Sequence, residues 1–126
     1  PSHVQWLGFQ PRQTVMALLQ KASAMVLPSE WFENAPMSII EAQLMGTPVI
    51  AAAIGGLPEM VQHEETGWLF PSRDGQALAV CLQAVASQPN QARQFGQAAQ
   101  AFARHTYQPQ QHLETLLKIY QQVATR

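Results

Sequence analysis

Of the 126 residues, one is cysteine, one is aspartate and only 12% are charged, with a net charge of −1. A lone cysteine cannot close an internal disulfide, which fits a reducing compartment. Cys81 shares a helical face with Leu78, Leu82 and Val85, so it reads as packing rather than thiol chemistry. The near-neutral balance leaves no electrostatic footprint for nucleic acid and little attraction to anionic membranes. No run approaches the roughly 20 apolar residues of a membrane-spanning helix, and no secretory leader is visible. A cytoplasmic location is expected, with peripheral attachment of a longer parent protein at the inner face of the membrane left open. No His/Cys/Asp cluster has metal-ligand spacing, so no metal is expected. His3 is terminal and His63, His105 and His112 stand in polar surroundings, which makes all four surface residues by default. Lysine and arginine are absent between Lys21 and Arg73.

What the chain does have is apolar content, 47%. Its length suits one domain, residues 1–126, able to bury about two-thirds of its unfolded surface. Strand-like runs at Val4–Phe9, Ala24–Leu27, Val49–Ala53 and, more weakly, Gly67–Phe70 alternate with helical patterns. One such pattern carries Val15, Leu18, Leu19 and Ala22, and a short one starts at Pro58. From about residue 76 to 126 the pattern is wholly helical: Gln76–Ser87, a segment after Pro89 with Phe95, Ala99 and Phe102 on one side, and a last one with Leu113, Leu116, Leu117, Tyr120 and Ala124. Alternation of this kind predicts an α/β fold of Rossmann-like, three-layer type with a parallel sheet.

The most informative stretch is Pro28–Glu41, P-S-E-W-F-E-N-A-P-M-S-I-I-E. A short buried strand ends there in a turn, and a helix starts near Pro36, since proline is favoured at a first helical position; Asn34 is the nearby candidate cap. Met45-Gly46-Thr47-Pro48 stops the helix. Met37, Ile40 and Leu44 recur at helical spacing and Glu41 falls among them. A carboxylate on an apolar stripe needs a polar partner. It is either a core glutamate held by its neighbours or a cleft carboxylate accepting hydrogen bonds from ligand hydroxyls. Glu33 lies just before the helix, whose start presents free N–H groups and a positive dipole end to an anion such as phosphate. Eight residues of helix span at most roughly 12 Å, the scale of a ligand with a sugar at each end and phosphates between. Gly55-Gly56 follows a strand end, where open parallel sheets bind ligands; it reads as close approach to the ligand or as a turn that needs positive φ. Glu59 suits a helix start on structural grounds, and Trp31 reads as packing more than as a pocket wall.

Glu33 and Glu41, seven residues between them, followed by Glu41-Ala42, Gly46-Thr47-Pro48-Val49-Ile50, Gly55-Gly56-Leu57-Pro58-Glu59 and Thr66-Gly67-Trp68-Leu69-Phe70, run in one order across most of the chain. This set resembles the retaining glycosyltransferases with two Rossmann-like domains (the GT-B fold, glycosyl transferases group 1), in the latter part of their carboxy-terminal domain. Asn34-Ala35-Pro36 stands where many members have a glycine-aromatic-glycine turn. With one aspartate, Asp74, the Asp-x-Asp metal motif of the other major glycosyltransferase architecture is excluded.

The resemblance implies a sugar transfer from a nucleoside diphosphate sugar to an acceptor, without cofactor or metal. It places Glu41 on the ribose hydroxyls, Glu33 near the anomeric centre of the donor hexose as the catalytic-site carboxylate, and Asn34, Ala35, Pro36, Met37, Ser38, Gly55 and Gly56 around the donor. Met37 and Ser38 are the better phosphate donors, because Pro36 has no N–H. The family's phosphate-binding arginine and lysine belong to a segment preceding Pro1, as does the acceptor domain, so the chain reads as a fragment that is inactive alone. In the intact domain's strand order, 3-2-1-4-5-6, it starts at strand three. Ala24–Leu27 is then an unpaired edge, and either self-association or pairing of Val4–Phe9 beside Ala24–Leu27 is expected. A non-catalytic nucleotide-sugar-binding module and a sugar-nucleotide epimerase are the alternatives.

Overall fold

Four consecutive buried residues form β2 (Val49–Ala52), the central strand of a three-stranded parallel sheet. The computed structural model describes residues 2–125. β1 (Met25–Leu27) lies along one edge of β2, with Met25 opposite Val49 and Leu27 opposite Ala51. β3 (Gly67–Phe70) lies along the other edge, from Gly67 opposite Val49 to Phe70 opposite Ala52. Successive side chains leave a strand on opposite faces, so Val49 and Ala51 enter one layer while Ile50 and Ala52 enter the other. A strand covered on both faces is apolar throughout, which is why this run does not alternate.

Among the described residues six helices are interleaved with and follow the strands: α1 (Arg12–Lys21), α2 (Met37–Leu44), α3 (Leu57–Met60), α4 (Gly75–Ser87), α5 (Pro89–Thr106) and α6 (Pro109–Ala124). In the first layer Val49 and Ala51 meet Ile39 and Ala42 of α2 and Leu57 and Met60 of α3, with Leu19 of α1 and Tyr107 at the margin. In the second, Ile50, Ala52, Trp68 and Phe70 meet Cys81 and Val85 of α4 and Ala92 of α5. Phe95 closes over Trp68 with ring centroids 4.9 Å apart. The result is the three-layer α/β arrangement read from the sequence, with Cys81 buried as expected. His3, His63, His105 and His112 are all exposed.

Local chemistry sets the helix ends. Asp74 accepts a hydrogen bond from Ala77 N–H at 2.9 Å and so starts α4. At the end of α2, Thr47 N–H donates to Ala42 O and Gly46 N–H to Gln43 O, the paired bonds of a glycine stop. Gln100 of α5 donates to Leu44 O at 2.8 Å and satisfies one more terminal carbonyl.

Three readings are corrected. Val4–Phe9 is not a strand: it pairs with nothing in the sheet, Trp6 and Phe9 are 93% and 97% exposed, and Gly8 turns the backbone at φ +63. It does not lie beside β1, whose outer edge is unpaired among the described residues. Pro36 is the residue before α2 rather than its first, with extended backbone, and no side chain of Asn34 or any other residue caps the helix. The buried face of α2 is Ile39, Ala42 and Gln43, not Met37, Ile40 and Leu44; Met37 is 60% exposed. In so short a helix a buried glutamine shifts the apparent stripe, because the periodicity argument counts Gln43 as polar.

α6 buries no residue, and Leu113, Leu117 and Tyr120 stand at least half exposed. Among the described residues no helix is long and apolar enough to cross a membrane.

Candidate functional site

All three strands run in one direction, so the loops that follow them share the carboxyl edge of the sheet, where parallel α/β sheets hold ligands. Residues 28–36 leave β1, residues 53–56 leave β2 and residues 71–74 leave β3. Side chains and backbone tie the loops together. Ser72 Oγ donates to Ser29 O at 2.9 Å, joining the third loop to the first. Arg73 Nε stands 3.5 Å from Glu30 Oε2 across the same gap. Gly56 N–H donates to Glu33 O at 2.7 Å, joining the second loop to the first.

The Gly55-Gly56 turn explains how Glu33 is held. Gly55 has φ +59, and a Cβ there would fall 2.8 Å from Glu33 N and nearer still to its carbonyl oxygen. A Cβ on Gly56 would collide with Asn34 O. Both glycines therefore let the backbone of Glu33 and Asn34 lie directly against the turn, since no L side chain fits. The close approach they permit is to the Glu33 loop itself. The Glu33 carboxylate is fixed as well: Oε1 accepts from Trp31 Nε1 at 2.9 Å and from Ser29 Oγ at 3.2 Å. Trp31 is thus no core residue; it is 68% exposed.

α2 begins directly after this loop. Ile39 N–H is spent on Pro36 O at 3.2 Å, while among the described residues the amides of Met37 and Ser38 carry no backbone hydrogen bond. Two free N–H groups at a helix start, with no acidic side chain in the first turn, form a positive end. Asn34 and Ala35 are exposed and Pro36 and Ser38 half-buried along this approach.

Glu41 lies one turn into α2, half-buried and off the core face. Arg12 Nη1 of α1 reaches its Oε1 at 2.6 Å, with the glutamate side chain 17% exposed and the arginine 75%. The gap in basic residues between Lys21 and Arg73 is therefore bridged in space from both sides, by Arg12 and by Arg73. Sequence reasoning missed Arg12, although a signal existed: a helix that leads into a strand of a parallel sheet runs back against it and starts at the carboxyl edge, so the first residue of α1 belongs beside the loops of the site. It also missed Gln43, a fully buried amide that donates to Met60 O at 2.7 Å and ties α2 to the end of α3.

Glu33, Asn34, Ala35, Pro36, Met37 and Ser38 form one continuous stretch, braced by Gly55 and Gly56, with Glu41 one turn further on. Glu59 stands exposed in the first turn of α3, where it suits the helix dipole. A recess of about 400 Å³ lined by Lys21, Gly46, Pro48 and Arg93 lies at the opposite end of the sheet and contains none of these residues. A smaller one, about 200 Å³, opens between the first and third loops beside Glu30 and Arg73. Among the described residues no three His, Cys, Asp or Glu side chains are grouped to hold a metal.

Comparison with known proteins gives the same picture at the level of the family. The family described as glycosyl transferases group 1 matches residues 1–102. The amylovoran biosynthesis glycosyltransferase AmsK of Erwinia amylovora is 36% identical over 84 residues, covering 63% of this chain and 21% of that protein. The D-inositol 3-phosphate glycosyltransferase of Streptomyces coelicolor is 44% identical over 84 residues, 67% of this chain and 18% of its own length. The chain thus spans about a fifth of the length of these relatives. Sucrose-phosphate synthase from Thermosynechococcus elongatus superposes with a TM-score of 0.87 at 31% identity, over 98% of this chain and 31% of that one. HepE of Anabaena in complex with UDP-glucose does so with a TM-score of 0.81 at 29% identity, over 90% and 32%. By family match, ordered motifs and fold together, this chain belongs to the glycosyl transferases group 1, with the Rossmann-like parallel α/β architecture of GT-B glycosyltransferases.

Proposed function

We propose that the chain supplies part of the donor site of a retaining glycosyltransferase, which moves a hexose from a nucleoside diphosphate sugar to an acceptor without metal or cofactor. The observation that carries this reading is the pair of unpaired amides, Met37 and Ser38, standing between two carboxylates, Glu33 just before α2 and Glu41 one turn into it. Diphosphate binds at the amides, ribose hydroxyls at Glu41 and the hexose at Glu33. HepE, a structural neighbour, is known in complex with UDP-glucose, which supports a donor of this class.

Positive charge grows on the sugar ring as the bond to the diphosphate breaks, and negative charge grows on the departing phosphate. The Glu33 carboxylate faces the first and the α2 amides face the second. Groups fixed before the reaction need no reorganisation as charge develops, and the braced loop around Glu33 meets that condition. Arg12 and Arg73, each paired with a carboxylate, place guanidinium donors at the margins of the crevice.

The test is a titration of the full-length protein with UDP and UDP-glucose, followed by a transfer assay against a panel of nucleoside diphosphate sugars. Sugar release or transfer that requires Glu33 upholds the reading. Binding without any turnover favours a non-catalytic nucleotide-sugar-binding module.

A further inference from the structure

Trp31 is a large apolar side chain with 68% of its surface in water, beside the carboxylate assigned to the sugar. It is not loose. Its indole N–H donates to Glu33 Oε1 at 2.9 Å. The backbone on either side of it is anchored, through Ser29, buried and accepting from Ser72, and through Glu33 O, accepting from Gly56. An indole whose polar end is tied and whose ring remains in solvent is an amphipathic surface held ready, and prior ordering lowers the entropy lost when a ligand covers it.

We propose that Trp31 is the sugar platform of this site: its N–H positions Glu33, and its exposed ring receives the C–H face of a pyranose whose hydroxyls reach the same carboxylate. The inference rests on the donor-site reading above and adds a positioning and specificity residue to it. Glu33 Oε1 already takes two donors, whereas no side-chain hydrogen bond reaches Oε2 among the described residues. That oxygen is available to a hydroxyl, and a charge-assisted bond of this kind is among the stronger ones. The chemistry also argues against an apolar protein surface as the occupant, because covering the ring that way would bury Oε2 without a partner. A polyol with one apolar face satisfies both halves. The pyranose is either the donor hexose or an acceptor sugar, and the experiment separates these.

In the full-length protein, UDP, UDP-glucose and methyl α-D-glucopyranoside are titrated against the wild type, Trp31→Ala and Trp31→Phe. Trp31→Ala is expected to weaken a sugar-bearing probe roughly five- to tenfold while changing UDP by less than about twofold. Loss on UDP-glucose places the donor hexose on the ring; loss on the free glycoside alone places an acceptor there. Trp31→Phe keeps an aromatic face but has no N–H, so it is expected to recover most of the sugar affinity yet turn over about tenfold more slowly, a change in kcat rather than KM. Sugar binding should also perturb the wild-type tryptophan emission, and this response should vanish in Trp31→Phe although Trp6 and Trp68 remain. Equal losses for UDP and UDP-glucose, or no loss in any titration, overturn the platform while leaving the donor site standing. A wild type that binds neither UDP, UDP-glucose nor the glycoside sinks the donor-site reading and the platform together.

Discussion

Arg12 Nη1 lies 2.6 Å from Glu41 Oε1, joining the first residue of α1 to the middle of α2. The arginine is mostly in water, so the pair contributes about 0–1 kcal/mol to stability and is screened by salt. Arg12→Ala should therefore shift the melting temperature only slightly, and the shift should shrink in high salt. A large loss that persists in high salt would show that the pair anchors α1 to the fold.

Glu41 itself separates ligand binding from folding. Glu41→Gln keeps the shape and removes the charge, and should weaken nucleotide binding by about 1.5–3 kcal/mol, the scale of a hydrogen bond to an ionised group. Calorimetric titration beside thermal melts is the measurement. Unchanged affinity with a collapsed melting temperature would make Glu41 a structural residue.

Glu33→Ala in the full-length protein should lower turnover more than it lowers affinity for the bare nucleoside diphosphate, which lacks the hexose. An interaction that strengthens in the transition state appears in the rate. Equal losses in both would move Glu33 away from the sugar.

Gly56→Ala tests the brace. Its Cβ would meet Asn34 O, a backbone atom that cannot turn aside. A destabilisation of about 1–3 kcal/mol is expected, as for overpacking elsewhere, together with weaker UDP-glucose binding as the Glu33 loop moves. An unchanged melt with unchanged binding would mean that the two loops are not held against one another.

Burial raises the Cys81 thiol above its ordinary value of 9.0 and the Tyr107 phenol above 10.0. The folded chain then keeps protons that the unfolded chain releases, so the associated stability is whole below pH 9.0 and declines as pH rises through the folded value of Cys81, with Tyr107 adding to the decline above pH 10.0. Denaturant melts across this range should show the fall, and Cys81→Ala should make it shallower. An identical slope in the variant would remove Cys81 from the account.

The sequence by itself determined the element types and most of their order. V-I-A-A is apolar on both faces, so it is a covered strand; Gly46-Thr47-Pro48 ends a helix wherever that helix lies; Cys81, Leu78 and Val85 share a face in any α4. These depend on backbone propensity and on spacing between near neighbours. The ordered motif from Glu33 to Phe70 also carried the family and named the loop before α2 as the place to look.

Only the tertiary structure decided the partners. Arg12 meets Glu41, Trp31 and Ser29 meet the Glu33 carboxylate, and the two glycines press against Glu33 and Asn34 rather than standing apart as an isolated turn. Val4–Phe9 has strand composition but no ladder, and α2 turns Gln43 rather than Glu41 into the core. The reason is physical. A strand exists only where another strand completes its hydrogen bonds, and a helix face is buried only where a sheet or helix covers it. Which residues meet at the carboxyl edge follows from strand order and direction, and these are set by packing across the whole chain rather than by any local run of residues.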